Sequence, residues 1–404
     1  RARGAHPTPP PRPPREGSRI TTQPAPPAPA APADDAPRAD RPARRAPSGT
    51  LVRTLAGVAL VAVLACLPLL ALHVPGVLPG PTYTPGALQM MAMCWLIGAL
   101  ALSYHLLFGV AGLLSFGHAL YFAAGLYGLA IVLDTTEIPL LPAAALVLVG
   151  GIVLAHVVGA VSLRVTGISF AMVTLAFAQA GNVLVRRNPG GTTGGEEGLA
   201  LATRNVPDAF VGVLNTRNLY WLALAVLVVV YLVVLWVERS RAGHVAAATR
   251  ENEMRVRVIG GRPYLVKLLV FVLAATLATV VGMAHLLLQS GAVPRATSAD
   301  FTLTLLVMVV LGGVGSRWGA IVGGVLYTIL DQRLGTLASS AAVADLPAVL
   351  RVPLSEPLFL LGTLFILVVM FLPGGIAGAA SRLAARRRPR EDREEARERL
   401  EEVA

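Results

Sequence analysis

The chain has 404 residues, 55% hydrophobic and only 14% charged, with a formal net charge of +11 and a mean hydropathy of +0.66. A soluble chain carries about a quarter charged residues, so this balance excludes a soluble enzyme as the main body and indicates an integral membrane protein. The basic residues gather in tails and loops beside apolar runs, as the positive-inside rule expects, and not on a surface for nucleic acid.

Residues 1–50 hold 14 of the 30 prolines, and nine arginines against four acids. So little aliphatic surface cannot offset the entropy of ordering, and the segment is predicted to be disordered. The first apolar run starts too late for a signal peptide and reads as a retained span. A bilayer core takes about 20 apolar residues per helix. Windows of that length place ten spans near 51–72, 88–108, 116–134, 138–162, 167–185, 218–238, 264–288, 301–315, 318–334 and 356–376. The eighth is short enough to be a half-helix, and the Gly-rich joint "GVAGLLSFG" (109–117) reads as a break inside the membrane. Cys66 and Cys94 fall in apolar runs and read as packing residues, with no disulfide or metal site. The expected fold is therefore all-α, a polytopic membrane domain over 51–378 followed by a charged tail, 379–404, ending in a solvated helix.

Three basic flanks orient the spans: the N-terminal tail, the Arg239–Lys267 region and the Arg382–Arg390 cluster. Ten crossings put all three, and both termini, in the cytoplasm and the uncharged segment 73–87 outside. Segment 186–218 then lies outside despite Arg186 and Arg187, as longer loops follow the charge rule less strictly.

The chemistry that is missing narrows the function. Lys267 is the chain's one lysine and no glycine precedes it, so no phosphate-cradling GxxxxGK[ST] loop exists. In "LGGVGSRWGAIVGG" (311–324), Gly315, Gly319 and Gly323 recur every four residues, the small-residue stripe of closely packed membrane helices. Asp134, Glu137 and Asp331 sit at span ends. The spans themselves carry neutral polar groups: His105, His118, His156, His285, Gln179, Asn182 and Gln289. That pattern argues against a proton or sodium site.

The stretch "RSRAGHVAAATRENEMRVRVIGG", Arg239 to Gly261, is too charged to enter a bilayer. Glu251–Arg255 and Glu253–Arg257 are acid-before-base pairs at i,i+4, and Gly243 and Gly260–Gly261 bracket the segment, which predicts one short helix. With Ala246, Ala247, Ala248, Met254, Val256 and Val258 as its apolar side, it suits docking in another protein's groove. A surface helix against its own spans and lipid headgroups fits the residues equally.

"GHVAAATRENEMRVRVIGG" resembles the cytoplasmic coupling loop of permease subunits of bacterial ABC importers for branched-chain amino acids, the LivM-type family. Gly243, Arg250, Glu251, Asn252, Glu253, Arg255 and Gly260 match the family form; Thr249 stands where isoleucine is usual and Val256 where alanine is. "GVAGLLSFGHALYFAAGLY" (109–127), "GISFAMVTLAFAQ" (167–179) with "TGGEEGL" (193–199), "LLVMVVLGGVGSRWGAIVGG" (305–324) and "LGTLFILVVMFLPGGI" (361–376) are similar to the same family in the same order, over roughly 51–378. The resemblance implies a permease that pairs with a second, homologous permease, two cytoplasmic ATPase subunits and an extracytoplasmic substrate-binding protein. ATP is then used by the partner subunits, and no cofactor is bound by this chain. An apolar, zwitterionic cargo wants small residues and backbone polar groups along its path. Ser115, His118 and Tyr121 beside Gly117 and Gly125, and Ser169, Thr174 and Gln179, are the expected path residues. Permeases for urea and short amides share most of these motifs and are the nearest alternative; a secondary carrier or a membrane enzyme has less support.

Overall fold

The computed structural model describes residues 48–74, 78–338, 357–371 and 374–386. The expected disorder of residues 1–47 and the expected helix at the end of the charged tail lie outside these residues. Contacts divide the chain after Thr54, and the described part of the first unit is only the opening turns of the first helix.

Thirteen helices run in order among the described residues: α1 (Ser48–Cys66), α2 (Pro85–His105), α3 (His118–Thr135), α4 (Leu140–Ser162), α5 (Ile168–Arg187), α6 (Thr216–Arg239), α7 (Arg241–Glu251), α8 (Glu253–Val258), α9 (Pro263–Gln289), α10 (Ala299–Gly312), α11 (Arg317–Ala338), α12 (Pro357–Phe371) and α13 (Gly375–Arg386). Among the described residues, six stretches are long and apolar enough to cross a membrane: Pro85–Val110, His118–Thr135, Leu140–Ser162, Ile168–Arg187, Val213–Arg239 and Pro263–Gln289. The span expected at 301–315 is a helix of 14 residues, short of a full crossing. The fold is an all-α polytopic membrane protein.

Helices α2 and α9 are the inner members. Helix α2 starts with Pro85 at its first turn, where a missing N–H costs nothing, and buries residues on every side. It packs on α6, α9, α10 and α11, while α9 packs on α2, α3, α4, α6 and α7. The outer helices keep an apolar face uncovered, as Leu141, Val149, Val153 and Val157 on α4 and Val229, Leu232 and Trp236 on α6 do. In water that surface would be costly; facing lipid it is satisfied.

Glycine sets the closest contacts. A Cβ at Gly125 would meet the Thr279 carbonyl, and one at Gly282 the Phe122 carbonyl, so α3 and α9 touch backbone to backbone. Gly319 and Gly323 lie where α11 meets α10, against the carbonyls of Gly312 and Met308. Gly315 is no part of that stripe. It precedes α11 in a turn at φ +92° with open space around it, because the chain must reverse between α10 and α11.

At one end the connection 188–215 is folded over the bundle. Leu199 and Ala200 pair antiparallel with Ala292 and Gly291, the Asn188 side-chain oxygen accepts from the Thr193 and Gly194 amides, and Asn205 donates to the Thr136 carbonyl at 3.0 Å. At the opposite end α7 and α8 lie between α6 and α9.

Candidate functional site

Two regions carry the candidate residues: a break between α2 and α3, and the α7–α8 pair beneath it.

Helix α2 does not stop at His105. It widens into a π turn over Leu106–Val110, and residues 111–117 then run without helix until α3 begins. Gly112, at φ +68°, makes the turn. Ala111, Leu113 and Ser115 are buried and Gly112 opens on a cavity, so this irregular backbone is packed in protein or lines a cavity, the settings in which it is tolerated at membrane depth. Its polar groups are satisfied from four directions. Tyr104 Oη donates to the Ser115 carbonyl at 3.0 Å, and the Gly117 amide donates to Ser115 Oγ at 3.2 Å. The Phe116 amide donates to Thr174 Oγ1 on α5 at 3.1 Å, and the Ala119 amide to Thr302 Oγ1 on α10 at 3.0 Å.

His118 opens α3, fully buried, with Nε2 at 2.9 Å from Ser103 Oγ. The Ser103 hydroxyl donates to the Leu100 carbonyl at 2.7 Å, so the proton between Ser103 and His118 belongs to Nε2. Nδ1 is then a bare acceptor, with no partner among the described residues. Tyr121, one turn on, is buried edge-on against Phe271, with ring centroids 5.6 Å apart. The structure thus brings Ser115, His118, Tyr121 and Thr174 together. Ser169 and Gln179 are not with them: they are exposed on α5, on the face that also presents Ile168, Met172 and Val183. One helix cannot point residues 169 and 179 the same way as 174, because five residues turn it by about 140°.

The Arg239–Gly261 segment forms two helices, not the single one expected. Asn252 is extended, at φ −156° and ψ 101°, and its side chain accepts from the Arg255 amide at 3.1 Å, capping α8. Asparagine offers the backbone this alternative to continuing a helix. The break separates Glu251 from Arg255, so among the described contacts that expected pair is not formed. Glu253 and Arg257, both in α8, do pair, at 2.6 Å. Glu253 also takes Lys267 Nζ of α9 at 2.5 Å. The Lys267 hydrogen bond above all, with Arg257 adding to it, holds the Glu253 carboxyl below its ordinary range. Ser240 caps α7, its Oγ accepting from the Gly243 amide at 3.2 Å. Gly243 lies inside that first turn, not before it, pressed so close to Val237 and Glu238 that a Cβ would stand 2.9 Å from Glu238 Cα. Ala246, Thr249 and Val256 face the bundle, whereas Arg250, Glu251, Asn252, Met254, Arg255, Val258, Ile259 and Gly260 are exposed.

Between the two regions lies a cavity of about 590 Å³, lined by Gly112 and Leu113 of the break, Arg164–Gly167 before α5, Thr249, Arg250, Glu253 and Arg257, and Tyr264 and Lys267 of α9. Arg250 reaches across its edge and donates to the Gly109 carbonyl. Sequence reasoning missed this contact, and with it a second cluster nearby. His105 Nε2 is 3.2 Å from Glu238 Oε1, and Arg317 Nε donates to Glu238 Oε2 at 3.0 Å, joining α2, α6 and α11 just before α7 begins. The signals were present only singly: a histidine inside one span, and a charge at the edge of each of two others.

A bundle of long apolar helices with an irregular break between two of them, and a charged helix pair at one end, defines a multi-pass membrane protein. Residues 86–380 match the family described as the branched-chain amino acid transport system, permease component, and the chain belongs to that family. It is 26% identical over 269 residues to the high-affinity branched-chain amino acid transport system permease protein LivM of Salmonella typhimurium, and 25% identical over 269 residues to that of Escherichia coli. Each alignment covers 60% of this chain and 62% of the relative, so the chain spans less than two thirds of the length of these curated relatives. A probable LivM of Methanocaldococcus jannaschii is 27% identical over 180 residues, 43% of this chain and 50% of the relative.

Proposed function

We propose that the chain is a transmembrane permease subunit of an ATP-binding-cassette importer, moving leucine, isoleucine and valine into the cytoplasm of a bacterium. The energy comes from separate ATPase subunits, and the cargo is delivered by an extracytoplasmic binding protein. The observation that carries this reading is the α7–α8 pair. It is ordered, anchored on its inner side by Ala246, Thr249 and Val256, and it presents Glu251, Met254, Arg255, Val258 and Ile259 outward. A mixed apolar and charged surface held rigidly at the membrane face is what a docking partner requires.

The exposed side of α5 has a matching role. Gln179 and Ser169 among apolar neighbours would lack hydrogen-bond partners in lipid, so this face packs against the second permease and borders the path between the two.

Affinity purification of the chain from its native membrane tests the assembly. A second permease and an ATPase are expected to come with it in fixed ratio. Recovery of the chain alone, as a self-sufficient carrier, would contradict the proposal.

A further inference from the structure

Arg250 is exposed on the outer side of α7, yet its guanidinium also turns back onto its own chain. We infer that Arg250 is a tie within the chain, the residue through which α7 holds and moves the break between α2 and α3. This rests on the reading above that α7–α8 is the docking surface for the ATPase subunits that supply the energy.

Three observations meet at this residue. Its guanidinium donates to the carbonyl of Gly109, inside the π turn, 141 residues away in sequence. Its aliphatic stem lies against Gly112, where a Cβ would come within 2.6 Å of Arg250 Cγ, so a glycine is needed both for φ +68° and for the stem to pass. At its far end the same segment seats Ser115 and His118, through bonds to Tyr104, Thr174, Ser103 and Thr302. The broken segment is therefore gripped at one end by α7 and at the other by α2, α5 and α10. An irregular stretch has no i→i−4 ladder of its own to resist displacement, so a shift of α7 is delivered to it before it bends a regular span. The adjoining His105–Glu238–Arg317 cluster fixes the end of α6, from which α7 starts, and gives α7 a pivot. Arg250 thus acts as a positioning residue for the path.

Hydrogen exchange over residues 106–117 reads the tie directly, in the assembled complex in lipid nanodiscs, with wild-type and Arg250→Ala chains. Losing one charge-assisted bond should speed exchange of this segment about tenfold, equivalent to about 1.4 kcal/mol of local opening, with α3 and α9 unchanged and the ATPases still bound. Uptake should fall while ATP hydrolysis continues. Gly112→Ala should produce the same uncoupling, and the double variant should be no worse than the more severe single one, since both remove one contact. Unchanged exchange at 106–117 together with loss of bound ATPase would overturn the inference and return Arg250 to the partner interface. Because the exchange measurement needs no cargo, a complex that carried some other substrate would leave the tie standing, and failure of the two claims can be told apart.

Discussion

Glu253 links α8 to α9, and removing its charge should loosen that link by an amount the geometry sets. Its two ion-pair partners are unequal. Arg257 lies one turn away on the same helix, its side chain 59% exposed, and such a pair contributes about 0.2–0.5 kcal/mol. Lys267 lies on α9, 14% exposed, against a carboxylate itself 28% exposed, at 2.5 Å. A charge-assisted bond of that kind contributes about 1.5–3 kcal/mol when buried, and about 1–2 after allowance for solvent screening. Glu253→Gln should therefore cost about 2 kcal/mol locally, close to a thirtyfold rise in the opening of α8. Lys267→Met should cost nearly as much and Arg257→Ala about 0.3 kcal/mol. Hydrogen exchange at the amides of 254–259, corrected for intrinsic rate, measures all three. The folded carboxyl titrates below the unfolded one, so the link is fully present above the ordinary glutamate pKa of about 4.3 and is lost only as pH falls through the lower folded value. Exchange should be flat from about pH 7 to 5. If Arg257→Ala loosened α8 as much as Lys267→Met, or if α8 loosened within that pH window, the assignment of Lys267 as the main anchor would be wrong.

Two further outcomes are expected. Gly282→Leu drives a side chain into the backbone of Phe122 and Leu126, which should cost about 3 kcal/mol or more and abolish recovery of folded protein, while Gly150→Leu, with nothing within 4 Å of its Cβ, should be tolerated; equal yields would mean α3 and α9 do not pack as described. In a chain with Cys66 and Cys94 replaced, Tyr83→Cys and Glu197→Cys should react with an impermeant thiol reagent from outside intact cells and Glu251→Cys only after permeabilisation; labelling of position 251 from outside would invert the proposed topology.

Six of the ten expected spans are long apolar helices among the described residues, and these were legible because length and apolar content are properties of a run, needing no knowledge of neighbours. The break was legible for a similar reason: three glycines, Gly109, Gly112 and Gly117, within nine residues leave few ways to continue a helix. Partners across the bundle were not. Nothing at Arg250 marks Gly109 as its acceptor, and nothing in Glu238 marks His105 and Arg317. Facing direction was equally hidden in α5, where Ser169, Thr174 and Gln179 look alike in an apolar run and only packing against Phe116 turns Thr174 inward. The division at Asn252 failed for a local reason, because i,i+4 charge pairing favours one helix whereas an asparagine cap favours two, and the cap prevailed. The folded connection 188–215 was read as a long loop, since its order comes from Asn188 and from a two-residue pairing with Gly291–Ala292 on a distant element.

The proposed role, moving branched-chain amino acids on the energy of partner subunits, is open to a direct test. The most direct measurement is accumulation of labelled leucine by proteoliposomes containing this chain, its second permease, both ATPases and the binding protein. Uptake should require ATP on the ATPase side, survive collapse of proton and sodium gradients, and be competed by isoleucine and valine but not by urea. Uptake that follows an ion gradient without ATP, or that urea competes and valine does not, would contradict it.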